Sequence, residues 1–145
     1  MNAIGDARLQ DHLDRQILFD LVRRERFARD QRRLDVMAAC FHRDAYVRTS
    51  WYDGTGGQAY VEASRKWMSN TGNSKHWVFP AFAQLGGDRA TVESPAMIFN
   101  RAMLEGVEID FQVFCRFFSR AVREDGEWKI ASFHVFFERD VMAPV

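Results

Sequence analysis

The apolar residues of this chain keep mostly helical spacing in the first half and strand-like spacing in the second. Up to Asn70 they recur mostly at intervals of three and four, with one strand-like stretch between; beyond Lys75 they fall in strand-like runs. From Ala7 to about Arg29, the residues Leu9, Leu13, Ile17, Leu18, Leu21, Val22 and Ala28 trace a helical stripe. Asp11, Asp14, Arg15, Arg23 and Arg26 lie mostly on the other face. A second, short helix fits Leu34 to Cys40, joined to the first by the polar link Asp30-Gln31-Arg32-Arg33. Tyr46–Trp51 is β-branched and aromatic and reads as a strand. Asp53-Gly54-Thr55-Gly56-Gly57 has turn chemistry and can open a helix, which then runs from Gln58 to about Asn70 and ends at Thr71-Gly72-Asn73.

Four strand segments follow: Lys75–Leu85, Arg89–Arg101, Glu108–Arg123 and Glu127–Arg139. Gly86-Gly87-Asp88 and Glu124-Asp125-Gly126 supply hairpin turns, and Pro95 marks an edge position or a bulge. Three helices before a meander of long strands predict an α+β fold, with the helices covering one face of a strongly curved, mostly antiparallel sheet. Such a sheet closed by helices makes a cone whose open end is a pocket.

Composition narrows the function classes. A length of 145 residues suits one domain over 1–145. Lys+Arg and Asp+Glu balance at 20 each, which argues against an electrostatic nucleic-acid or anionic-membrane binder. No apolar run approaches a membrane span, and the charged first thirty residues lack a signal-peptide core, so a soluble, cytoplasmic protein is expected. Cys40 and Cys115 stand in apolar contexts without metal-type spacing and are expected to be buried free thiols. The four histidines form no metal-binding cluster, so no metal is expected. Thirteen Phe, four Trp and three Tyr are more rings than a small core needs unless some line a cavity.

Several strings in fixed order carry a family resemblance: Phe27-Ala28-Arg29-Asp30, Leu34–Phe41, Arg43-Asp44-Ala45-Tyr46-Val47, Gly56-Gly57-Gln58-Ala59 and Glu124–Ile130. In these the chain resembles the NTF2-like superfamily, and within it the SnoaL-like branch that includes scytalone dehydratase and hexachlorocyclohexane dehydrochlorinase. The resemblance implies an NTF2-like cone and metal-free, cofactor-free elimination. It also implies a catalytic pair, with Asp30 at the end of the first helix orienting His76 at the start of the strand after the third. Two tyrosines that scytalone dehydratase uses fall at Arg29 and Thr49 here, so its substrate does not transfer.

The chemistry suits these residue types. Imidazole is the side chain whose ordinary pKa, about 6.5, lies near neutrality. A carboxylate that accepts a hydrogen bond from one ring nitrogen fixes the tautomer and leaves the other nitrogen free as a base. Asp30 read alone is equally a helix cap, and His76 a backbone-bonded strand histidine. Tyr46, Trp51, Tyr52, Phe99, Asn100, Cys115 and His134 are expected to line the pocket. The expected activity is a lyase or isomerase acting on a small hydrophobic, cyclic or aromatic molecule. The alternatives are a non-catalytic ligand-binding module and an accessory subunit similar to the small subunit of ring-hydroxylating dioxygenases. The two-sided apolarity of Phe111–Phe118 adds the expectation of a homo-oligomer, dimer or trimer.

Overall fold

Leu18, Leu21 and Val22 are buried along the inner side of the first helix, α1 (Ala3–Asp30). The computed structural model describes residues 3–70 and 74–145. The expected stripe is buried only from Leu18 onward: Leu9, Leu13 and Ile17 stay exposed. The reverse holds for two charged residues assigned to the outer face, since Asp14 and Arg26 are buried. Asp14 is held there by Trp128 Nε1–H at 3.1 Å and by Arg123.

The helix α2 (Leu34–Ala39) leads directly into β1 (Phe41–Arg48), which starts five residues before the expected strand. β2 (Asp53–Thr55) turns back onto β1, and α3 (Gly57–Asn70) follows. Gly57 lets α3 sit on β1: a Cβ there would meet His42 O and Phe41 Cβ at 2.7 Å. The expected stop at Thr71-Gly72-Asn73 lies outside the described residues.

The expected strand Lys75–Leu85 is two strands, β3 (Lys75–Val78) and β4 (Phe82–Gly86), both antiparallel to β5 (Arg89–Leu104). Pro80 interrupts them, because it has no N–H for the ladder. Pro95 stands opposite the interruption, where its carbonyl accepts from Phe79 N–H at 3.0 Å. A residue's N–H and C=O share a side in an antiparallel strand, so the missing N–H of Pro95 falls in the same gap. β6 (Val107–Glu124) and β7 (Glu127–Pro144) complete the sheet in the order β2-β1-β7-β6-β5-β3, with β4 also on β5. The β1–β7 pairing is parallel and the others antiparallel.

Two register shifts in the β6–β7 ladder bend the sheet. Ala121 pairs with Ile130 and Arg120 with Ser132, leaving Ala131 unpaired; Glu138 is skipped in the same way. Each extra residue reverses which side chains face inward. The helices fill the concave side, where Val47, Met37, Tyr60, Val92 and Ile130 are almost fully buried. Cys40 and Cys115 are buried and free, as expected. No helix of the described residues is long and apolar enough to cross a membrane.

Candidate active site

The C-terminal end of α1 carries Arg26, Arg29 and Asp30, and the two arginines line the cavity at the mouth of the sheet. Asp30 joins α1 to β3 through two hydrogen bonds with His76. Its Oδ1 accepts from Nδ1, and its Oδ2 accepts from the backbone N–H, both at 2.7 Å. β3 is held in turn by β5, with His76 paired to Ile98. The two side chains are 8% and 5% exposed. A carboxylate only accepts, so Nδ1 carries the proton and Nε2 of the neutral ring is bare.

Burial pushes the His76 imidazole down to about 4, against its hydrogen bond to Asp30, which favours the cation; Arg26 and Arg29 push it further down. Burial raises the Asp30 carboxyl, but its bonds to His76 outweigh this and leave it below the ordinary carboxylate range. At neutral pH the pair is therefore an ionised carboxylate and a neutral imidazole.

His76 lines a cavity of about 370 Å³, within the size range of small-molecule sites. Ile98 and Asn100 of β5, Phe111, Val113 and Phe117 of β6, and Val135 and Phe137 of β7 form its floor and side. Rings close the opposite wall: Trp51 stacks on Trp67 at 4.9 Å and 12°, and on Tyr60 at 5.8 Å and 25°. Thr49, Ser50 and Ser74 add hydroxyls.

The two arginines differ. Arg26 pairs with the buried carboxylate of Glu25, donates to Tyr60 Oη at 3.0 Å and lies 4.6 Å from the Phe133 ring centre. Arg29 is 3% exposed and packs 5.8 Å from the Trp51 ring centre. Its Nε–H has no acceptor, and among the described residues no carboxylate is paired with it. Asn100 Oδ1 is likewise buried without a partner. Among the described residues, no group of three or more His, Cys, Asp or Glu side chains is arranged to hold a metal ion.

Of the expected lining residues, Trp51 and Asn100 are on the cavity wall and the other five are elsewhere. His134 faces the outer side of the sheet, because the unpaired Ala131 reverses the alternation after Ile130 and turns Phe133 and Val135 inward. Tyr46 is on that outer side too, 5.3 Å from His134, with its hydroxyl donating to Asp53 at 2.7 Å. Tyr52 packs behind the wall, 5.1 Å from Tyr60. Phe99 points away beside Trp77 at 5.2 Å. Cys115 is buried against the strand next to it, with its thiol 3.6 Å from Ala96 O. Arg26, Arg29, Tyr60 and Trp67 were not in the expected set. A signal for the arginines exists: both continue the spacing of Leu18 and Val22 at intervals of three and four, and a charge on an inward stripe needs a reason.

The family model of the SnoaL-like domain matches residues 10–134. The chain belongs to the SnoaL-like family. An uncharacterised protein of Emericella nidulans is 30% identical over 112 residues, covering 72% of this chain and 47% of that protein. Pea pathogenicity protein 2 of Fusarium vanettenii is 28% identical over 119 residues, covering 81% and 51%. This SnoaL-like chain thus spans about half the length of the curated relatives it matches. Among solved structures, hexachlorocyclohexane dehydrochlorinase LinA-type3 of Novosphingobium barchaimii superposes with a TM-score of 0.82 at 15% identity, covering 95% of this chain and 94% of that one. A protein of Novosphingobium aromaticivorans, provisionally assigned as a scytalone dehydratase, gives 0.77 at 17% identity, covering 90% and 88%. At these identities the likeness is one of fold: the SnoaL-like, NTF2-like cone of helices on a curved sheet.

Proposed function

We propose that this SnoaL-like protein is a lyase or isomerase that acts without a cofactor on a small hydrophobic, cyclic or aromatic molecule. The observation that carries this reading is the 2.7 Å contact between Asp30 Oδ1 and His76 Nδ1 at the wall of the cavity. His76 Nε2 takes a proton from an activated C–H of the bound molecule. Asp30 does not accept that proton; it holds the ring in the productive tautomer and stabilises the imidazolium as it forms. The electron pair left on carbon then expels a leaving group from the neighbouring carbon, or the proton returns at another carbon and shifts the double bond.

An imidazole titrating at about 4 is a weak base in isolation. The positive charge of Arg26 and Arg29 that contributes to this also stabilises the carbanion or enolate on the substrate, so the proton-transfer balance is partly restored. The ring wall and apolar floor keep water out and strengthen these charge interactions. The names of the structural neighbours, a dehydratase and a dehydrochlorinase, are those of eliminations and support the same class.

The test is turnover of a panel of cyclic β-hydroxy ketones, β-halo ketones and β,γ-unsaturated ketones, read by the absorbance of the conjugated product. The expected result is conversion of at least one class by the wild type and its loss in a folded His76→Ala variant. Undiminished rates in that variant would remove His76 from the mechanism.

A further inference from the structure

A buried guanidinium is costly unless something pairs with it. Arg26 meets this need with Glu25 and Tyr60. Arg29, at the same depth and on the same cavity, does not: its Nε–H lacks an acceptor and, among the described residues, no carboxylate is paired with it. Both oxygens of the adjacent Asp30 are taken by His76. The nearest ring, Trp51, offers its face rather than a lone pair. Among the described residues the partner of this cation is therefore missing, and the cavity is where it would enter.

We propose that Arg29 holds an anionic oxygen of the ligand, and that the substrate class is a planar cyclic compound whose carbonyl oxygen becomes an enolate as His76 removes the neighbouring proton. The step balances as follows. The C–H bond breaks and its proton passes to His76 Nε2. The electron pair forms the C=C bond of the enolate, and the carbonyl π pair moves onto the oxygen facing Arg29. The flat stack of Trp51 on Trp67 suits a planar ring. Asn100 Oδ1, an unfilled acceptor on the same cavity, suits a hydroxyl elsewhere on it. The proposal rests on the cavity being the ligand site; its enolate step also rests on His76 acting as the base.

An enolate can be imitated without knowing the substrate, because a phenolate is planar, cyclic and carries its charge on oxygen. The probe is 4-nitrophenol, whose ionised form is yellow, titrated with the protein of residues 1–145 across neutral pH. The expected result is that the ratio of ionised to neutral dye is about ten times higher for bound dye than for free dye at the same pH, that Arg29→Met abolishes the difference, and that Arg29→Lys keeps part of it. Bound dye no more ionised than free dye, no binding at all, or undiminished ionisation in Arg29→Met would each overturn the proposal. If Arg29→Met does not fold, the wild type and Arg29→Lys decide by the same readings. His76→Gln separates the two claims. It is expected to lose turnover and retain the ionisation; retained turnover would remove the base and leave the anion site standing.

Discussion

Asp30 grips His76 at two places, taking the imidazole Nδ1–H on one carboxylate oxygen and the backbone N–H on the other, each at 2.7 Å. The second bond ties the start of β3 to the end of α1, so the ring is fixed both by its tautomer and by the position of its strand. A cap on the next helix would have left the carboxylate outside the cone. Instead α2 is approached through Arg33, without a side-chain cap.

Asp30→Asn tests what the carboxylate contributes beyond geometry. An amide still bonds to one of the two N–H groups but does not stabilise the imidazolium and can hold the opposite tautomer. Turnover should fall by about 10²–10⁴-fold with the fold retained. Nitrogen chemical shifts should show the ring leaving the Nδ1–H form.

The pair also makes stability depend on pH. His76 titrates at about 4 in the folded protein, below its ordinary value of about 6.5. The unfolded chain therefore binds more protons between these values, and stability rises with pH across that window. At full effect this is about 3 kcal/mol, lost as pH falls from about 6.5 toward 4. The lowered Asp30 carboxyl acts in the same direction at still lower pH: its contribution is present above the ordinary carboxylate range and lost as it protonates. Urea denaturation at stepped pH should show this slope in the wild type and a flatter one in a folded His76→Gln.

Glu25 and Arg26 are 1% and 4% exposed at their side chains. Removing one partner leaves the other charged and buried, so Glu25→Gln should cost about 3–5 kcal/mol. Glu25→Met combined with Arg26→Leu removes both charges and should recover most of that loss. Denaturant midpoints of the three proteins measure it.

Trp51 is the ring shared by Trp67, Tyr60 and Arg29. Trp51→Ala opens the wall and exposes the guanidinium to water. Affinity for planar aromatic ligands should drop at least about tenfold, since a ring contact contributes about 0.5–1.5 kcal/mol beyond the area it buries. His134→Gln, on the outer side of the sheet, should leave that affinity unchanged. Calorimetric titration with 4-nitrophenol checks both.

Much of the architecture was readable because it depends on periodicity and turn chemistry. The switch of period near Asn70 and the turns at Gly86-Gly87-Asp88 and Glu124-Asp125-Gly126 lie where the helices end and the hairpins form. Parity along β7 was not readable. Nothing in Ile130-Ala131-Ser132 announces that Ala131 is unpaired, yet this one residue moves His134 outward and Phe133 inward. The same kind of side error placed Phe99 in the pocket, since the choice of concave face for β5 is set by packing against α1. Asp30 and His76 lie 46 residues apart, and local pattern alone gave each an ordinary role; only the family resemblance paired them. Arg26 and Arg29 were readable in principle, as charges on an apolar stripe, but high Arg content in this helix masks them.

The most direct measurement of the central claim is hydrogen exchange at carbon. 2-Tetralone, a fused-ring ketone with an acidic C–H, is incubated with protein in D₂O and deuterium incorporation is followed by NMR. The wild type should accelerate exchange over buffer, and His76→Gln should lose about 10²–10⁴-fold of that acceleration. Exchange as fast in folded His76→Gln as in the wild type would contradict the account.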